Sequence, residues 1–266
     1  MNKLKVFIML KFIKNITRGV FAALSLSLLI CSVFAAEGKK GLDDTEIIVN
    51  GEQIEFKNIN GYMGDMSLRF DLENEVLNII RTEPGELPHE KNIPMRISDD
   101  GRIYLLEKCE LYDRTTDEIW EKMGMNVFGF LSGGFIYKNG ECIDLPGVYY
   151  YGGLGAVCVA DLNNDGDYQL LYISRFGSGI DGHNLNCYSE KYKITSTVGG
   201  AGGFYLSKID DQNVYIRYPY RLNDDIYKLR LEKSVGYSLV ADKVDEEKLP
   251  QLRLTVQLKE QSQIQF

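Results

Sequence analysis

The chain has 266 residues, with 38 acidic against 30 basic side chains and a formal net charge of −8 at pH 7. Five of the basic residues and none of the acidic ones fall in the first 36, so the remainder carries 25 against 38, a net of −13. A surface of that sign repels phosphate, and with no DNA-binding motif present no nucleic-acid partner is expected.

Lys3, Lys5, Lys11, Lys14 and Arg18 precede an uncharged run from Gly19 to Ala36 that closes on Val33-Phe34-Ala35-Ala36. This is the layout of a secretory signal, with cleavage expected after Ala35 and export to the periplasm, cell surface or medium. The apolar run is also long enough for an uncleaved membrane anchor, the one route by which a membrane becomes a partner. A lipoprotein site at Cys31 is disfavoured, because Ile30 is not the small residue expected before it. Residues 37–44 are polar and rich in Gly and Lys, a flexible spacer. Residues 45–266 are then the exported domain, with a division, if there is one, at 82–98.

Within that domain, Glu46 to Phe56 reads as a hairpin turning on Asn50-Gly51 in a type I′ turn. Ser67 to Ile80 shows apolar residues at both helical and strand periods. Thr82 to Pro94 holds three of the six prolines and reads as a linker or long loop. Asp99-Asp100-Gly101 turns into a strand at Arg102 to Leu106. A helix is expected over Thr115 to Met123, with Thr115 and Glu118 as a capping box, Gly124 as the stop, and Trp120 and Met123 facing the core. After it the pattern is strands and turns: Val127 to Tyr137, Asn139-Gly140 as a turn, Ala156 to Ala160, Gln169 to Arg175, and six further β-rich stretches ending with Leu252 to Leu258. The fold class is mainly β, with antiparallel sheets in a sandwich or propeller-like arrangement and one short helix near residues 116–123.

Chemistry concentrates in one turn, Asp161-Leu-Asn163-Asn-Asp165-Gly166-Asp167-Tyr-Gln169, between two apolar strands. Ca²⁺ takes six to eight oxygens, and short acidic or amide side chains at every second position supply them. Asp161, Asn163 and Asp165 are so spaced, Gly166 permits the sharp bend, the Asp167 carbonyl can turn inward, and Gln169 can close the shell. An EF-hand would need Glu at the twelfth position and a helix after it; Tyr172 stands there, in a strand. The pattern resembles the calcium loop of FG-GAP/VCBS-type repeats, which lies between two strands. The resemblance covers under a tenth of the chain, in one copy where that family comes in arrays. It implies structural Ca²⁺ held by Asp161, Asn163, Asp165, Asp167 and Gln169. Gln169 departs from it, an amide where that family carries a carboxylate. With two full charges in the ring, affinity on the order of 10⁻⁴ to 10⁻³ M is expected. The alternative is an Asn-Asp-Gly hairpin turn whose acids face water.

Pairing the two strands also brings residues 149–153 beside 176–183, about 20 Å from the loop at the usual strand rise. Tyr150, Tyr151, Arg175, Ser178, Asp181 and His183 there form a candidate contact surface for a glycan or protein ligand, or else tight sheet corners with tyrosines packed on glycine. Four cysteines, Cys109, Cys142, Cys158 and Cys187, follow the signal, as two disulfides or as buried thiols.

No catalytic constellation is marked. His89 and His183 lack partners at metal-ligand spacing. Ser178 is not in a Gly-x-Ser-x-Gly elbow, since Phe176 and Ile180 stand where the glycines would be. Three functions follow: a calcium-stabilised binding or adhesion module, a structural envelope component, and, third, a secreted hydrolase using Ser178, Asp181 and His183.

Overall fold

The computed structural model describes residues 45–58, 64–130, 133–145, 153–176, 182–192, 194–201, 203–218, 225–233 and 236–244. Residues 1–44, where a signal and spacer are expected, and the Leu252 to Leu258 stretch lie outside them. The described chain is mainly β, four antiparallel sheets with one helix.

Each sheet is an up-and-down meander in which neighbours in space are neighbours in sequence. The first holds β1 (Thr45–Asn50), β2 (Gln53–Asn58), β3 (Asp65–Asp71), β4 (Val76–Thr82), β5 (His89–Ile97) and β6 (Ile103–Leu105). The second holds β7 (Tyr112–Asp113), β8 (Asn126–Phe130), β9 (Gly133–Lys138) and β10 (Glu141–Asp144), with helix α1 (Asp117–Met123) between β7 and β8. The third is β11 (Leu154–Ala160), β12 (Gln169–Phe176), β13 (Gly182–Ser189) and β14 (Ile194–Ala201). The fourth is β15 (Tyr205–Lys208), β16 (Val214–Arg217), β17 (Ile226–Lys233) and β18 (Tyr237–Lys243).

Period-2 alternation explains how these sheets share cores. Leu68, Phe70, Leu77 and Ile79 of the first sheet pack with Phe128, Phe130, Phe135 and Tyr137 of the second. Alternate residues of the same second-sheet strands, Val127 and Ile136, turn the other way, onto Val159, Leu170 and Tyr172 of the third. The third sheet divides likewise, sending Leu171, Ile173 and Leu185 onto Leu206, Ile216 and Leu229 of the fourth. A two-sheet sandwich has one core, whereas here the two inner sheets are covered on both faces.

The structure corrects several sequence expectations. Ser67 to Ile80 is the β3–β4 hairpin. Thr82 to Pro94 is mostly strand: β5 pairs with β4 on one side and β6 on the other, leaving only 83–88 as loop. Its charges sit on exposed positions while Ile93 and Met95 turn inward, and Pro94 stands opposite the first residue of β4, where little ladder remains to lose. The first hairpin turns one residue later than expected. Asn50 pairs with Gln53, so the loop is Gly51-Glu52, with Gly51 at φ 55° in the first central position that a type II′ turn asks for. The other turn is as read: Asn139 and Gly140 both have positive φ (53° and 79°), as type I′ requires.

The N-cap of α1 is Thr116, not Thr115; its side chain accepts from Ile119 N, and Gly124 closes the helix at φ 59°. Thr115 Oγ1 instead accepts from Val127 N at 2.9 Å. The buried helix residue is Ile119, while Trp120 lies half-buried with Nε1 donating to Asp100 Oδ2 at 2.6 Å.

All four cysteines are free thiols. Leu171 pairs with both Cys158 and Cys187, setting these two strands apart. That is roughly 9.6 Å between Cα atoms, beyond the ~6.8 Å a disulfide spans. Burial pushes Cys142, Cys158 and Cys187 up to about 12, so they stay protonated.

The candidate cation loop and the opposite edge

The loop leaves β11 at Asp161 and re-enters the sheet at Gln169, which pairs with Ala160. Asn164 (φ 54°) and Gly166 (φ 82°) are both left-handed, and these two reversals fold the loop onto itself. Its end residues are buried polar groups, Asp161 at 5% exposure and Gln169 at 0%. Burial at that level demands partners. Asp161 Oδ1 accepts from Asp165 N at 3.1 Å and Oδ2 from Gly166 N at 2.9 Å. Gln169 Oε1 accepts from Leu162 N at 2.9 Å, and its Nε2 donates to the Asp167 carbonyl.

The remaining oxygens meet one further loop amide and side chains from beyond the loop. Asp165 Oδ1 accepts from Asp167 N at 3.1 Å, while Oδ2 accepts from the Tyr192 hydroxyl and from Lys191 Nζ at 3.3 Å. Lys191 also donates to Asp167 Oδ2. Asn163 is hydrogen-bonded to Tyr192. The Tyr192 hydrogen bond, with help from the Asp167 amide and Lys191, holds the Asp165 carboxyl below its ordinary range. The hydrogen bonds it donates to Asp167 and Asp165 raise Lys191.

All five expected residues are thus gathered into one hydrogen-bonded turn. The Asp161 carboxylate, the Asp167 carbonyl and Gln169 face inward, and the Asp165 and Asp167 carboxylates face Lys191. An amide at 169 has consequences a carboxylate would not: it brings its own N–H to the carbonyl that a metal would otherwise use. Among the described residues no group of three or more His, Cys, Asp or Glu side chains is placed to hold a metal.

Sequence reasoning missed the partners. Lys191 and Tyr192 follow β13, whose Tyr188 pairs with Leu170, so the chain beyond Ser189 comes back beside the loop. From the β15–β16 turn, Asp211 O accepts from Asp161 N at 3.0 Å, and Gln212 Nε2 donates to Asn164 Oδ1 at 2.6 Å. Asp211 in turn joins an ionic network with α1. Lys208 donates to Glu118 (2.5 Å) and to the Val159 carbonyl (2.6 Å), while Lys122 bridges Glu118 (2.8 Å) and Asp211 (2.7 Å). Burial alone would raise both carboxyls, but the hydrogen bonds from Lys122 and Lys208 outweigh it and hold them low.

At the opposite edge, Arg175 is exposed and its N–H donates to Gly153 O at 3.2 Å, which places residue 153 beside the end of β12 as expected. His183 is 9% exposed, its Nδ1 accepts from Phe204 N at 3.1 Å, and its ring meets Phe204 edge-on at 5.5 Å. A Cβ at Gly203 would stand 3.3 Å from its Cε1, and its Nε2 is buried without a hydrogen-bond partner. Tyr150, Tyr151, Ser178 and Asp181 lie outside the described residues. No family model, no curated protein and no solved structure matches the chain.

Proposed function

We propose that this chain is an exported, calcium-stabilised binding module of the FG-GAP/VCBS type, with a glycan or protein ligand. The carrying observation is the convergence of buried Asp161, buried Gln169 and the Asp167 carbonyl in a turn that touches the β13–β14 and β15–β16 connections. An ion there would fasten three segments at once. Ca²⁺ would displace Lys191 from Asp165 and Asp167 and turn the Gln169 amide, so affinity falls at or below the weak extracellular class, roughly 10⁻³ M. Thermal melting with millimolar Ca²⁺ and with chelator tests this; a higher midpoint with Ca²⁺ supports it, and superimposable melts remove the ion.

A second reading is favoured by Lys191 itself: a structural envelope component whose turn carries a tethered ammonium in place of a metal. Under it, Lys191→Met loosens the turn and Ca²⁺ changes nothing in the wild type.

A further inference from the structure

Between the first and second sheets, beside the C-terminal end of α1, a cleft of about 440 Å³ is lined by Leu72, Ile97, Asp100, Trp120, Asn126 and Tyr137. That volume falls within the roughly 300–1,000 Å³ range of small-molecule sites. Tyr137 is 5% exposed, and its buried hydroxyl has no hydrogen-bond partner. Burial, reinforced by the nearby Glu52 carboxylate, pushes this phenol up to about 12, so it remains an O–H donor at physiological pH. An orphaned buried hydroxyl carries a desolvation penalty that a bound acceptor would relieve.

The mouth is of opposite character. Asp100 is exposed; its carboxylate accepts from Ser98 Oγ at 2.5 Å, from Trp120 Nε1 at 2.6 Å and from the backbone N–H groups of Arg102 and Asp100. The bond from Trp120 fixes the plane of the half-buried indole. Lys138, also in the lining, is engaged with Glu190 at 2.7 Å, so Asp100 sets the local charge.

These groups select a chemistry. An anion would meet Asp100 and be repelled. A simple ammonium would satisfy Asp100 and the indole face, but it carries no acceptor for the Tyr137 hydroxyl. A neutral ring bearing several hydroxyls has donors for Asp100, acceptors for Tyr137 and polarised C–H bonds for the negative face of Trp120. We propose that this cleft binds a neutral polyhydroxylated ring the size of one or two sugar residues, stacked on Trp120 and held by Asp100 and Tyr137. This names a ligand class for the binding-module reading, and it shares no residue with the cation loop.

Trp120 is the chain's one tryptophan, so intrinsic emission reports on the cleft alone. The full chain is titrated, in chelator and again in Ca²⁺, with glucose, galactose, mannose and N-acetylglucosamine up to tens of millimolar, with choline and inorganic phosphate in parallel. A saturable emission change with at least one sugar, about tenfold weaker in Tyr137→Phe at an unchanged or higher melting point, is the expected result. Silence from all four sugars, a response to choline or phosphate instead, or equal sugar affinity in Tyr137→Phe overturns it. Sugar binding that persists in chelator, beside melts that ignore Ca²⁺, would retain the cleft and discard the ion.

Discussion

The turn at 161–169 and the cleft beside Trp120 handle polar groups in opposite ways. In the turn, buried Asp161 and Gln169 find partners within the chain, and even the exposed acids are met by Lys191 and Tyr192. In the cleft, which no motif announces, the buried Tyr137 hydroxyl is left without a partner. Recognisable spacing therefore marks the place where polar groups converge, while the unmet valence lies elsewhere. A motif reports how a chain can fold locally; a binding site needs something left unsatisfied.

The sharpest attack on this contrast is Asp161→Ala. It strips two backbone N–H groups of a charged acceptor in a buried setting, and a loss of about 3 kcal/mol is expected in urea unfolding. A loss under about 1 kcal/mol would show that the turn does not depend on internal partners. Next is Gln169→Glu, which restores the resembled family's carboxylate but removes the donor to the Asp167 carbonyl. Without metal it should cost about 2 kcal/mol, and the Ca²⁺-induced rise in melting point should exceed that of wild type. If the Gln169→Glu variant gained no response, the loop geometry itself would be unsuited to the ion.

Acid tests the clasp around the turn. Glu118 and Asp211 titrate below their ordinary values of 4.5 and 3.8, so their contribution is full above those values and is lost as pH falls through the lowered ones. Stability should decline below about pH 4.5, and Glu118→Gln should flatten that decline by under about 1 kcal/mol after solvent screening. An unchanged slope would mean the network carries no net stabilisation. Smaller still is Lys191→Met, whose expected effect is a several-fold gain in apparent Ca²⁺ affinity with little change in the metal-free melt. Equal affinities would show that the ammonium does not compete.

Much of the fold was legible. The strands flanking the turn announced themselves because their Val, Leu and Ile runs are bounded by Asp161 and Gln169, and the helix because a threonine and Gly124 bracket it. β5 was hidden because its inward positions, Ile93 and Met95, are only two among nine, and its charges belong to the outer face. The five residues of the turn could be read from spacing alone. Lys191 could not, since its place depends on the β12–β13 register, and the cleft draws on four separated segments whose meeting only tertiary packing decides.

The second sheet sends side chains into the cores on either side of it, Phe128 and Phe135 one way and Val127 and Ile136 the other. No opening of β8 and β9 can expose one of those cores and spare its neighbour. Their amide protons should be the slowest in the molecule to exchange with deuterium, leaving only through global unfolding.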